Sequence, residues 1–457
     1  MRKPFSFYIA HWIGKIVLFG MRLLRRTGSY LPGAIALRID SNYLKHVEKP
    51  DHIVMVTGTN GKTSVCNMLR FFLESADRNV MDNREGSNTI EGLASAFLTH
   101  NTWRGKSHHE GSVLELDERS AIRVFPHIQP DVLLVTNLFR DSYQRNAHAE
   151  YIFDILDGSI PQNTKLVLNA EDPISGRLTL SNERVYYGIP LLEGEREQRN
   201  PRFSDLVYCP VCHLDLTIDF IRYNHIGRYH CTHCGYRTPE TKYEVVSFDR
   251  DLKQAEFASD GTTNIFQTQT DGVTDLYNLL SAAATASECG IPLSAIAEYS
   301  RSLPPLKSRY HEETIQGKRF LSVLCKGYNP VAPARVFDYL QAQPGRKVLV
   351  MANGTEEEIV ENMAYLYDND YSYLNDPSFF QIFCCGERYL DYALRLRMAD
   401  IPEERIVLSR EYAEIPRLIA YEEADLICLI HDVSDVPWVR DLLSAIRKDL
   451  AQLQDKE

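Results

Sequence analysis

Several features that mark special classes of protein are missing from this chain of 457 residues. No apolar stretch is long and uncharged enough for a membrane-spanning helix, no cleavable signal peptide is evident, and there is no internal repeat. Ten cysteines are too few in a chain of this length for a secreted disulfide scaffold. Positive charge is in deficit, since the net charge is -12, which argues against nucleic-acid binding driven by bulk charge. These absences predict a cytoplasmic globular protein of two or three domains.

The most informative stretch is a turn with two glycines at residues 57–63, which has the sequence Thr-Gly-Thr-Asn-Gly-Lys-Thr. It follows an apolar run, Ile53–Val56, that predicts a buried strand, and a helical stretch begins near Thr63. A strand, a glycine turn, a Lys-Thr pair and a helix together cradle nucleotide phosphates, because backbone N–H groups and the helix N-terminus face the anion. The general pattern G-x-x-x-x-G-K-[ST] would need a glycine at Val56, so the match is to a variant. The alternative is a plain glycine-rich turn.

The chemistry of this turn assigns residues to ATP and to Mg²⁺. Lys62 is expected to reach the β- and γ-phosphates, and the Thr63 hydroxyl to ligate the metal. Glu115 lies at the end of a predicted strand, in the segment Leu114–Glu118, where a carboxylate that ligates Mg²⁺ belongs. We therefore predict catalytic roles for Lys62 and Glu115 and a magnesium site at Thr63 and Glu115. The residues of the turn that we predict to bind the nucleotide are Gly58, Thr59, Asn60, Gly61, Lys62, Thr63 and Ser64.

Apolar runs alternate with helical stretches between residues 50 and 190, which predicts a parallel sheet with helical crossovers. Helical character returns at Leu276–Ser287, and Pro304-Pro305 marks a boundary before a second, smaller α/β domain. We expect a helical segment at residues 1–50, an ATP-binding domain at residues 51–305 and the second domain at residues 306–457. The predicted strands are Ile53–Val56, Ser112–Leu116, Val132–Val135 and Leu166–Leu168 in the first domain and Val348–Met351, Phe380–Cys384 and Leu426–Ile430 in the second.

A polar segment rich in Cys and His interrupts this alternation at about residues 200–245. Two Cys-x-x-Cys pairs lie in it, Cys209 with Cys212 and Cys231 with Cys234, separated by 18 residues. Four thiolates at this spacing suit tetrahedral Zn²⁺ in a closed structural site, so we predict a zinc ribbon inserted in the ATP-binding domain. Coincidence or a redox pair is the alternative. The other cysteines are predicted to be core thiols, namely Cys66, Cys289, Cys325, Cys384, Cys385 and Cys428.

The first helical stretch of the chain is apolar but carries scattered charge. Phe5–Leu24 is interrupted by His11, Lys15 and Arg22, and Arg25-Arg26 follow it. Two interpretations are open: an amphipathic helix that rests on the inner face of a membrane, or a helix packed on its own domain.

Further short segments follow the turn in a consistent order. They are Thr136–Asp141, Leu168–Pro173, Tyr277-Asn278 and Ser308–Glu312, together with Pro32-Gly33, Gly86-Ser87-Asn88 and Asn329-Pro330 elsewhere in the chain. With these segments and the four-cysteine ribbon, the chain resembles the Mur ligase superfamily and, within it, the MurT subfamily, the ligase-like subunits of lipid II isoglutaminyl synthase. The resemblance runs over nearly the whole length, and the ribbon is its best discriminator.

The resemblance implies a Mur ligase-type α/β fold, with a central parallel-sheet ATPase domain that carries the zinc ribbon and a smaller C-terminal α/β domain. It implies the cofactors ATP, Mg²⁺ and Zn²⁺. The implied reaction is amidation of the D-glutamate α-carboxylate in the lipid II stem peptide, through an acyl phosphate, to D-isoglutamine. Ammonia would come from a glutaminase subunit of the GatD type in a heterodimer, since Cys384-Cys385-Gly386 lacks the glycine-flanked elbow of a glutaminase nucleophile. By the same resemblance, Asn278 would lie near the adenine, Arg309 near the phosphates, and Asn137 would also bind the nucleotide.

The sequence departs from the MurT pattern in two places. The segment Phe139–Arg145 does not continue with the expected Gln-Leu-Asp-Arg-Tyr-Gly. The Asp-Gly-x-Asp of the subfamily is replaced around Glu356–Glu358, whereas Asp368 fits the Asp that closes the subfamily's following Ser-Trp-x-Trp-Asp run. We predict catalytic roles for Glu358 and Asp368, with a Glu of this segment orienting a histidine of the glutaminase. The alternative is a solvated acidic start of a helix.

Two other functions compete with lipid II amidation. One is another amide ligase of the Mur and folylpolyglutamate synthase type, which adds an amino acid to a carboxylate. The other is a non-enzymatic module that has kept the nucleotide fold, which the intact Lys62-Thr63 pair and Glu115 disfavour.

Overall fold

The structure is a computed structural model that describes residues 3–26, 28–140, 148–193, 195, 205–304, 310–325, 331–352, 364–431 and 437–452. Over these residues the chain forms two large β-sheets flanked by helices and one small two-stranded sheet. The helices are α1 Phe5–Leu23, α2 Leu31–Ile39, α3 Tyr43–His46, α4 Lys62–Ser75, α5 Ile90–His100, α6 Ala121–Val124, α7 Ala149–Asp157, α8 Val273–Glu288, α9 Leu293–Ser300, α10 Val331–Ala342, α11 Ala364–Asp368, α12 Tyr389–Met398, α13 Ile415–Leu418 and α14 Pro437–Ala451.

Nine strands form the larger sheet. They are β1 His52–Thr57, β2 Val80–Asp82, β3 Gly111–Glu115, β4 Val132–Val135, β5 Lys165–Asn169, β6 Arg184–Gly188, β9 Tyr243–Asp249, β10 Gln254–Ser259 and β11 Thr262–Gln267. The small sheet consists of β7 Thr217–Tyr223 and β8 Ile226–His230. The order is β11-β10-β9-β6-β5-β4-β1-β3-β2, and only β9, β10 and β11 pair antiparallel. Because the chain crosses over β1 from β3 to β4, a crevice opens at the carboxyl ends of these three strands.

Apolar layers cover both faces of this sheet, as expected for parallel strands with apolar side chains on both sides. In β1, Val54 and Val56 pack in the layer that contains α4, α8 and α9. Ile53 and Met55 point to the other face, where they pack with α1, α2, α5 and α7. The crevice is therefore supported from both sides by a continuous core.

Six strands form the second sheet. They are β12 Tyr310–Ile315, β13 Lys318–Leu324, β14 Lys347–Ala352, β15 Phe379–Cys385, β16 Ile406–Ser409 and β17 Leu426–His431. The order is β12-β13-β17-β14-β15-β16, and all pairs are parallel except β12 with β13. Helices α10, α11 and α12 pack on one face and α13 and α14 on the other.

All seven predicted strands are present, each within one residue of its predicted bounds, and the predicted parallel sheets are confirmed. The small sheet of β7 and β8 interrupts the chain between two strands of the large sheet, β6 and β9. Since β9 begins at Tyr243, the last residues of the segment predicted as ribbon belong to the large sheet.

The N-terminal helix α1 packs on the large sheet through one of its sides. Phe7, Ala10 and Leu18 are buried there, whereas the opposite side of α1 is exposed. Among the described residues, the longest and most apolar helices fall short of what a membrane crossing requires.

Candidate active site

The turn at residues 57–63 joins β1 to α4 in the crevice between β3 and β4. Gly58 and Gly61 have φ values of +123° and +87°, in the region that strains residues with a side chain. A Cβ atom at Gly61 would lie 2.5 Å from Oδ1 of Asn278, and one at Gly58 would overlap the Thr136 hydroxyl. The close approach of the turn to its neighbours therefore requires both glycines.

The segment after β4 holds the backbone of this turn. Asn137 accepts a hydrogen bond from the N–H of Asn60 at 3.0 Å and donates from Nδ2 to the Asn60 carbonyl at 3.2 Å. The Asn137 carbonyl accepts from the N–H of Thr59 at 2.8 Å, and the Thr136 hydroxyl donates to the Asn60 carbonyl at 2.7 Å. The Thr59 hydroxyl accepts from the N–H of Phe139 at 2.9 Å. The structure thus brings Asn137 together with the predicted residues of the turn.

Lys62 is paired with a carboxylate to which the sequence analysis assigned no role. Its Nζ lies 2.8 Å from Oε1 of Glu118 and also donates to the Gly58 carbonyl. Burial disfavours the charged form, but the Glu118 and Glu115 carboxylates outweigh it and raise the pKa of Lys62 above its ordinary value. Burial raises the pKa of Glu118 against the opposing pull of Lys62. Lys62 is therefore held as a cation within the turn.

Thr63 and Glu115 form a second cluster beside Lys62. The Thr63 hydroxyl donates to Oε2 of Glu115 at 2.8 Å, and Asn88 donates to Oε1 at 3.1 Å. The Asn83 side chain binds the backbone N–H and carbonyl of Glu115 at 2.8 and 2.9 Å. Hydroxyl and carboxylate oxygens are ligands that Mg²⁺ prefers, so these two residues fit the metal predicted for them. Ser64 follows in the first turn of α4.

A cavity of about 220 Å³ opens next to this cluster, between α4 and the segment that follows β2. Its wall includes Thr63, Glu115 and the basic side chains of Arg70 and Arg84. The Nε atoms of both arginines lie 3.5 Å from Oδ2 of Asp82. Nη1 of Arg70 also lies 2.6 Å from Oε2 of Glu74. The two guanidinium groups therefore have carboxylate partners in Asp82 and Glu74, and an anionic substrate beside the predicted magnesium ligands would share them.

A smaller polar cavity lies on the other side of the turn. Asn137, Asn278 and Tyr277 contribute to its wall, and so does Arg335 of α10. The Arg335 guanidinium lies over the ring of Tyr223 in β7, 4.0 Å from the ring centre. The site predicted to bind the nucleotide therefore borders both the ribbon and the C-terminal part of the chain.

The four cysteines of the ribbon converge on one point. The Sγ atoms of Cys209, Cys212, Cys231 and Cys234 all lie within 4.8 Å of one another. Separations of 3.6 Å join Cys209 to Cys234 and Cys212 to Cys231, close to the roughly 3.8 Å expected between sulfurs that surround Zn²⁺ at about 2.3 Å in a tetrahedron. Each pair is followed by a residue with positive φ, which turns the chain tightly around the cysteines. The four thiolates fit a structural zinc ion.

The ribbon is joined to the segment after β5 by charged side chains, of which Arg222 and Glu171 are buried. Arg222 of β7 donates to the Tyr277 hydroxyl at 2.5 Å and lies 3.4 Å from Oε2 of Glu171. Arg228 of β8 lies 3.2 Å from Oε1 of the same carboxylate. Burial raises the pKa of Glu171, although Arg222 draws it downwards. Since Tyr277 directly precedes Asn278, these contacts connect the ribbon to α8 at the nucleotide side of the site.

A second connection runs through His225, between β7 and β8. Its Nε2 lies 3.2 Å from Oδ1 of Asp172, whose Oδ2 accepts a hydrogen bond from the N–H of Leu138 at 2.8 Å. Burial disfavours the charged form of Asp172, but hydrogen bonds from His225, Ser175 and the Leu138 N–H outweigh it and lower the pKa of Asp172. Because Leu138 directly follows Asn137, this connection reaches the segment that holds the turn. Glu171 and Asp172 belong to the segment Leu168–Pro173, and the sequence gives no sign of these partners.

Among the described residues, Asp368 is a predicted site residue that lies apart from the cluster around Lys62. Asp368 ends α11, and its Oδ2 lies 3.4 Å from Nη1 of Arg140, in the segment after β4. Arg309 and Glu358 lie outside the described residues, as do Asn329-Pro330 and the rest of Glu356–Glu358.

The cysteines predicted as core thiols fall into two groups. Cys325, Cys384, Cys385 and Cys428 are buried, and burial raises the pKa of the Cys384 and Cys385 thiols in β15. Cys66 and Cys289 are half-buried and pack against the core of the large sheet, and Cys66 also lines the larger cavity. It lies on α4 at the side that faces the site.

Solved structures of known ligases share this fold. The chain has a TM-score of 0.65 to a pseudomurein peptide ligase type C from Methanothermus fervidus, at 22% identity, over 88% of this chain and 80% of that one. For MurF from Acinetobacter baumannii the TM-score is 0.63 at 15% identity, over 91% and 80%. Residues 56–189 match the Mur ligase middle domain. They contain the turn at residues 57–63, named here the phosphate turn. The fold and the turn together define a protein of the Mur ligase class.

Closer relatives specify the family. Residues 325–434 match the MurT ligase C-terminal family. The chain is 30% identical to the MurT subunit of lipid II isoglutaminyl synthase (glutamine-hydrolyzing) from Staphylococcus aureus strain COL, over 87% of this chain and 89% of that protein. It is 28% identical to the MurT subunit from Streptococcus pneumoniae strain R6, over 93% and 94%. The chain belongs to the MurT family, and the resemblance inferred from its sequence is confirmed.

Proposed function

We propose that this chain is an ATP-dependent ligase that amidates the D-glutamate α-carboxylate of the lipid II stem peptide, with ammonia from a glutaminase partner. The observation that carries the proposal is the cluster of Lys62, Thr63 and Glu115 beside an arginine-lined cavity. The relatives of the chain are named as subunits of lipid II isoglutaminyl synthase, which supports the choice of acceptor.

The turn at residues 57–63 is proposed to hold the phosphates of ATP, with Lys62 against the β- and γ-phosphates. Asn137 and Asn278 would bind the nucleotide from the smaller cavity. ATP would supply the phosphoryl group, and Mg²⁺ at Thr63 and Glu115 would neutralise its charge. Phosphoryl transfer depends mainly on positioning and charge neutralisation, and these side chains are already held by their neighbours. Arg309, outside the described residues, is proposed to contact the phosphates as well.

The larger cavity is proposed to receive the carboxylate of the stem peptide. Arg84 is exposed at its rim and Arg70 is half-buried in its wall, and a guanidinium group binds a carboxylate through two parallel hydrogen bonds. Phosphorylation of that carboxylate gives an acyl phosphate. Ammonia then attacks the acyl carbon, the C–O bond to phosphate breaks with its electron pair, and the nitrogen releases a proton as the amide forms.

Residues 306–457 are proposed to dock the glutaminase. Cys384 and Cys385 are buried and burial raises the pKa of both thiols, so neither is suited to act as a glutaminase nucleophile. Glu358 and Asp368 are proposed to act at the interface. The Zn²⁺ of the ribbon is proposed to be structural, because its four thiolates leave no coordination position for substrate.

ADP release by the purified chain tests the ligase chemistry. Release should require both a stem-peptide acceptor and ammonium. Lys62→Ala should lower turnover by on the order of 10²–10³, since the phosphates lose a preorganised cation. Lys242→Ala is the matched control, because it removes a surface lysine whose partner is Glu288; its turnover should equal that of the parent chain.

The same assay separates the alternatives. Release that needs an amino acid in place of ammonium would support the amino-acid-adding ligase. Nucleotide binding without any turnover would support the binding module. Equal turnover of Lys62→Ala and Lys242→Ala at saturating ATP would show that the phosphate site is assigned wrongly.

A further inference from the structure

One side of α1 carries a row of exposed apolar side chains. Phe5, Trp12, Ile16, Phe19 and Leu23, named here the N-terminal stripe, are between 49% and 77% exposed. Their positions follow one another at intervals of seven, four, three and four, which places all five on one side of a helix. An exposed apolar row of this length on a folded domain marks an interaction surface.

The opposite side of α1 fixes this orientation. His11 is buried, with Nδ1 2.8 Å from the Tyr43 hydroxyl and Nε2 2.8 Å from the Thr102 carbonyl. Phe7 is also buried and stacks on Tyr43 with ring centres 5.5 Å apart. Because these contacts anchor the helix to the domain, the N-terminal stripe cannot turn inwards to cover itself.

Positive charge is concentrated around the stripe. The first 39 residues contain seven lysines and arginines and no aspartate or glutamate, in a chain whose net charge is -12. Arg22, Arg25 and Arg26 are exposed at the carboxyl end of α1. An apolar helix face bordered by basic residues is the pattern of helices that lie in the interface of anionic membranes.

Two of the three tryptophans of the chain lie at this face. The indole N–H of Trp12 donates to the Trp103 carbonyl at 3.0 Å, and both side chains are about half exposed. Lys15 lies over the Trp103 ring, with Nζ 6.0 Å from its centre. Tryptophan is enriched at the boundary between lipid and water, because its ring is apolar and its N–H is polar.

We propose that α1 docks on an anionic phospholipid surface, with the N-terminal stripe at the acyl boundary and Arg22, Arg25 and Arg26 against the headgroups. The basic residues around the stripe, with no acidic residue among the first 39 positions, favour an anionic lipid surface over a protein partner. The inference deepens the proposed function and rests on it for its purpose, since a lipid-linked acceptor would lie in the same surface.

Vesicle binding by the full chain tests the proposal. Trp438→Phe leaves Trp12 and Trp103 as the only tryptophans, so their emission reports on the stripe. On vesicles that contain phosphatidylglycerol, the emission should shift to the blue and the protein should cosediment. On pure phosphatidylcholine, binding should be at least about tenfold weaker, because the basic residues lose their anionic partners.

Paired variants identify the docking face. In the Trp438→Phe chain, Ile16→Glu with Phe19→Glu should reduce partitioning of the protein onto the anionic vesicles by on the order of 100-fold. The reason is that two apolar side chains leave the lipid and two anions approach it. Leu180→Glu with Leu252→Glu is the matched control, since these leucines are 77% and 63% exposed and lie elsewhere on the chain. Thermal melting of each variant confirms that the fold is intact.

Each outcome decides the question. Equal vesicle binding by the two paired variants overturns the proposal, and so does a lack of binding by the parent chain. Dimerisation without vesicle binding, abolished by the stripe variant, would assign the stripe to a second copy. Binding is measured without nucleotide or acceptor, so a chain that binds vesicles but forms no amide contradicts the proposed function alone. A chain that amidates a water-soluble stem peptide but ignores vesicles contradicts the inference alone.

Discussion

Two carboxylates three residues apart take different partners in the site. Glu115 accepts the Thr63 hydroxyl, and Glu118 pairs with Lys62 over 56 positions of the chain. The phosphate turn was predictable because its residues are adjacent and its backbone depends on two glycines. The partner of Lys62 was not, because Leu114–Glu118 contains three acidic residues, and only the pairing of β3 with β1 decides which of them reaches the lysine.

Glu118→Gln should destabilise the nucleotide-free protein by about 3 kcal/mol, because it leaves Lys62, whose side chain is only 13% exposed, without its closest anion. ATP should then raise the melting temperature of the variant more than that of the parent chain, since the phosphates replace the lost negative charge. Thermal melting with and without MgATP measures both effects.

The control for this variant is Glu298→Gln. It removes one partner of an exposed ion pair, Arg301–Glu298, and should change stability by less than about 1 kcal/mol. An ATP-induced shift that is the same for Glu118→Gln and Glu298→Gln would contradict the role given to Glu118.

The ribbon is the element whose existence, but not whose position, the sequence could predict. The four cysteines are grouped in two pairs close together in the sequence, so their convergence on one predicted zinc site followed directly from their spacing. Its attachment depends on Arg222 and His225, which meet Glu171 and Asp172 about 50 positions earlier in the chain. Such contacts between distant segments leave no periodic signal in the sequence.

Removal of zinc should loosen these attachments. The protein is expected to hold about one Zn²⁺ per chain. Cys231→Ser should lower the melting temperature and raise the KM for ATP severalfold, with a smaller change in kcat, because α8 and the phosphate turn lose support from the ribbon. Cys289→Ser, outside the ribbon, is the control. A Cys231→Ser protein that melts normally yet is inactive would contradict a structural zinc.

Arg222→Gln should have an effect on stability that depends on pH. Burial already raises the pKa of Glu171 above its ordinary 4.5, and loss of Arg222 raises it further. The folded variant then retains a proton that the unfolded chain releases above about pH 4.5, so the variant gains stability relative to the parent chain as the pH falls from 8 to 5. At neutral pH the variant should be less stable than the parent chain by on the order of 3 kcal/mol. Urea unfolding at several pH values measures the difference in unfolding free energy between Arg222→Gln and the parent chain. A difference that does not vary with pH would contradict this account.

At the scale of the whole molecule, the two parallel sheets followed from the sequence because their strands are continuous apolar runs. Only seven of the strands were predicted, and the others were missed. Of these, β10 and β11 pair antiparallel, are partly exposed and carry polar residues such as those of Thr262–Gln267. The contact between the central and C-terminal parts was also hidden. It includes Arg335 on Tyr223 and the pair of Arg140 with Asp368, each formed by residues far apart in the chain.

The proposed docking of a glutaminase on residues 306–457 yields a prediction for Glu358. Glu358→Gln should depress amidation driven by glutamine and leave amidation driven by ammonium nearly intact. The proposed carboxylate orients a histidine of the glutaminase and stabilises its imidazolium, and that histidine is needed only for glutamine hydrolysis. The two nitrogen sources are compared in the complex, with Glu298→Gln as the surface control. Equal losses with both sources would place Glu358 in the ligase site, and no loss with either would leave it as a surface charge.

The mass of the product tests the central claim most directly. The purified chain is incubated with lipid II, MgATP and isotopically labelled ammonium, and the stem peptide is analysed by fragmentation. The account predicts that one labelled nitrogen replaces the hydroxyl of the D-glutamate α-carboxylate, and that Lys62→Ala yields no such product. Label at another carboxylate, an added amino acid in place of an amide, or label that appears without ATP would contradict it.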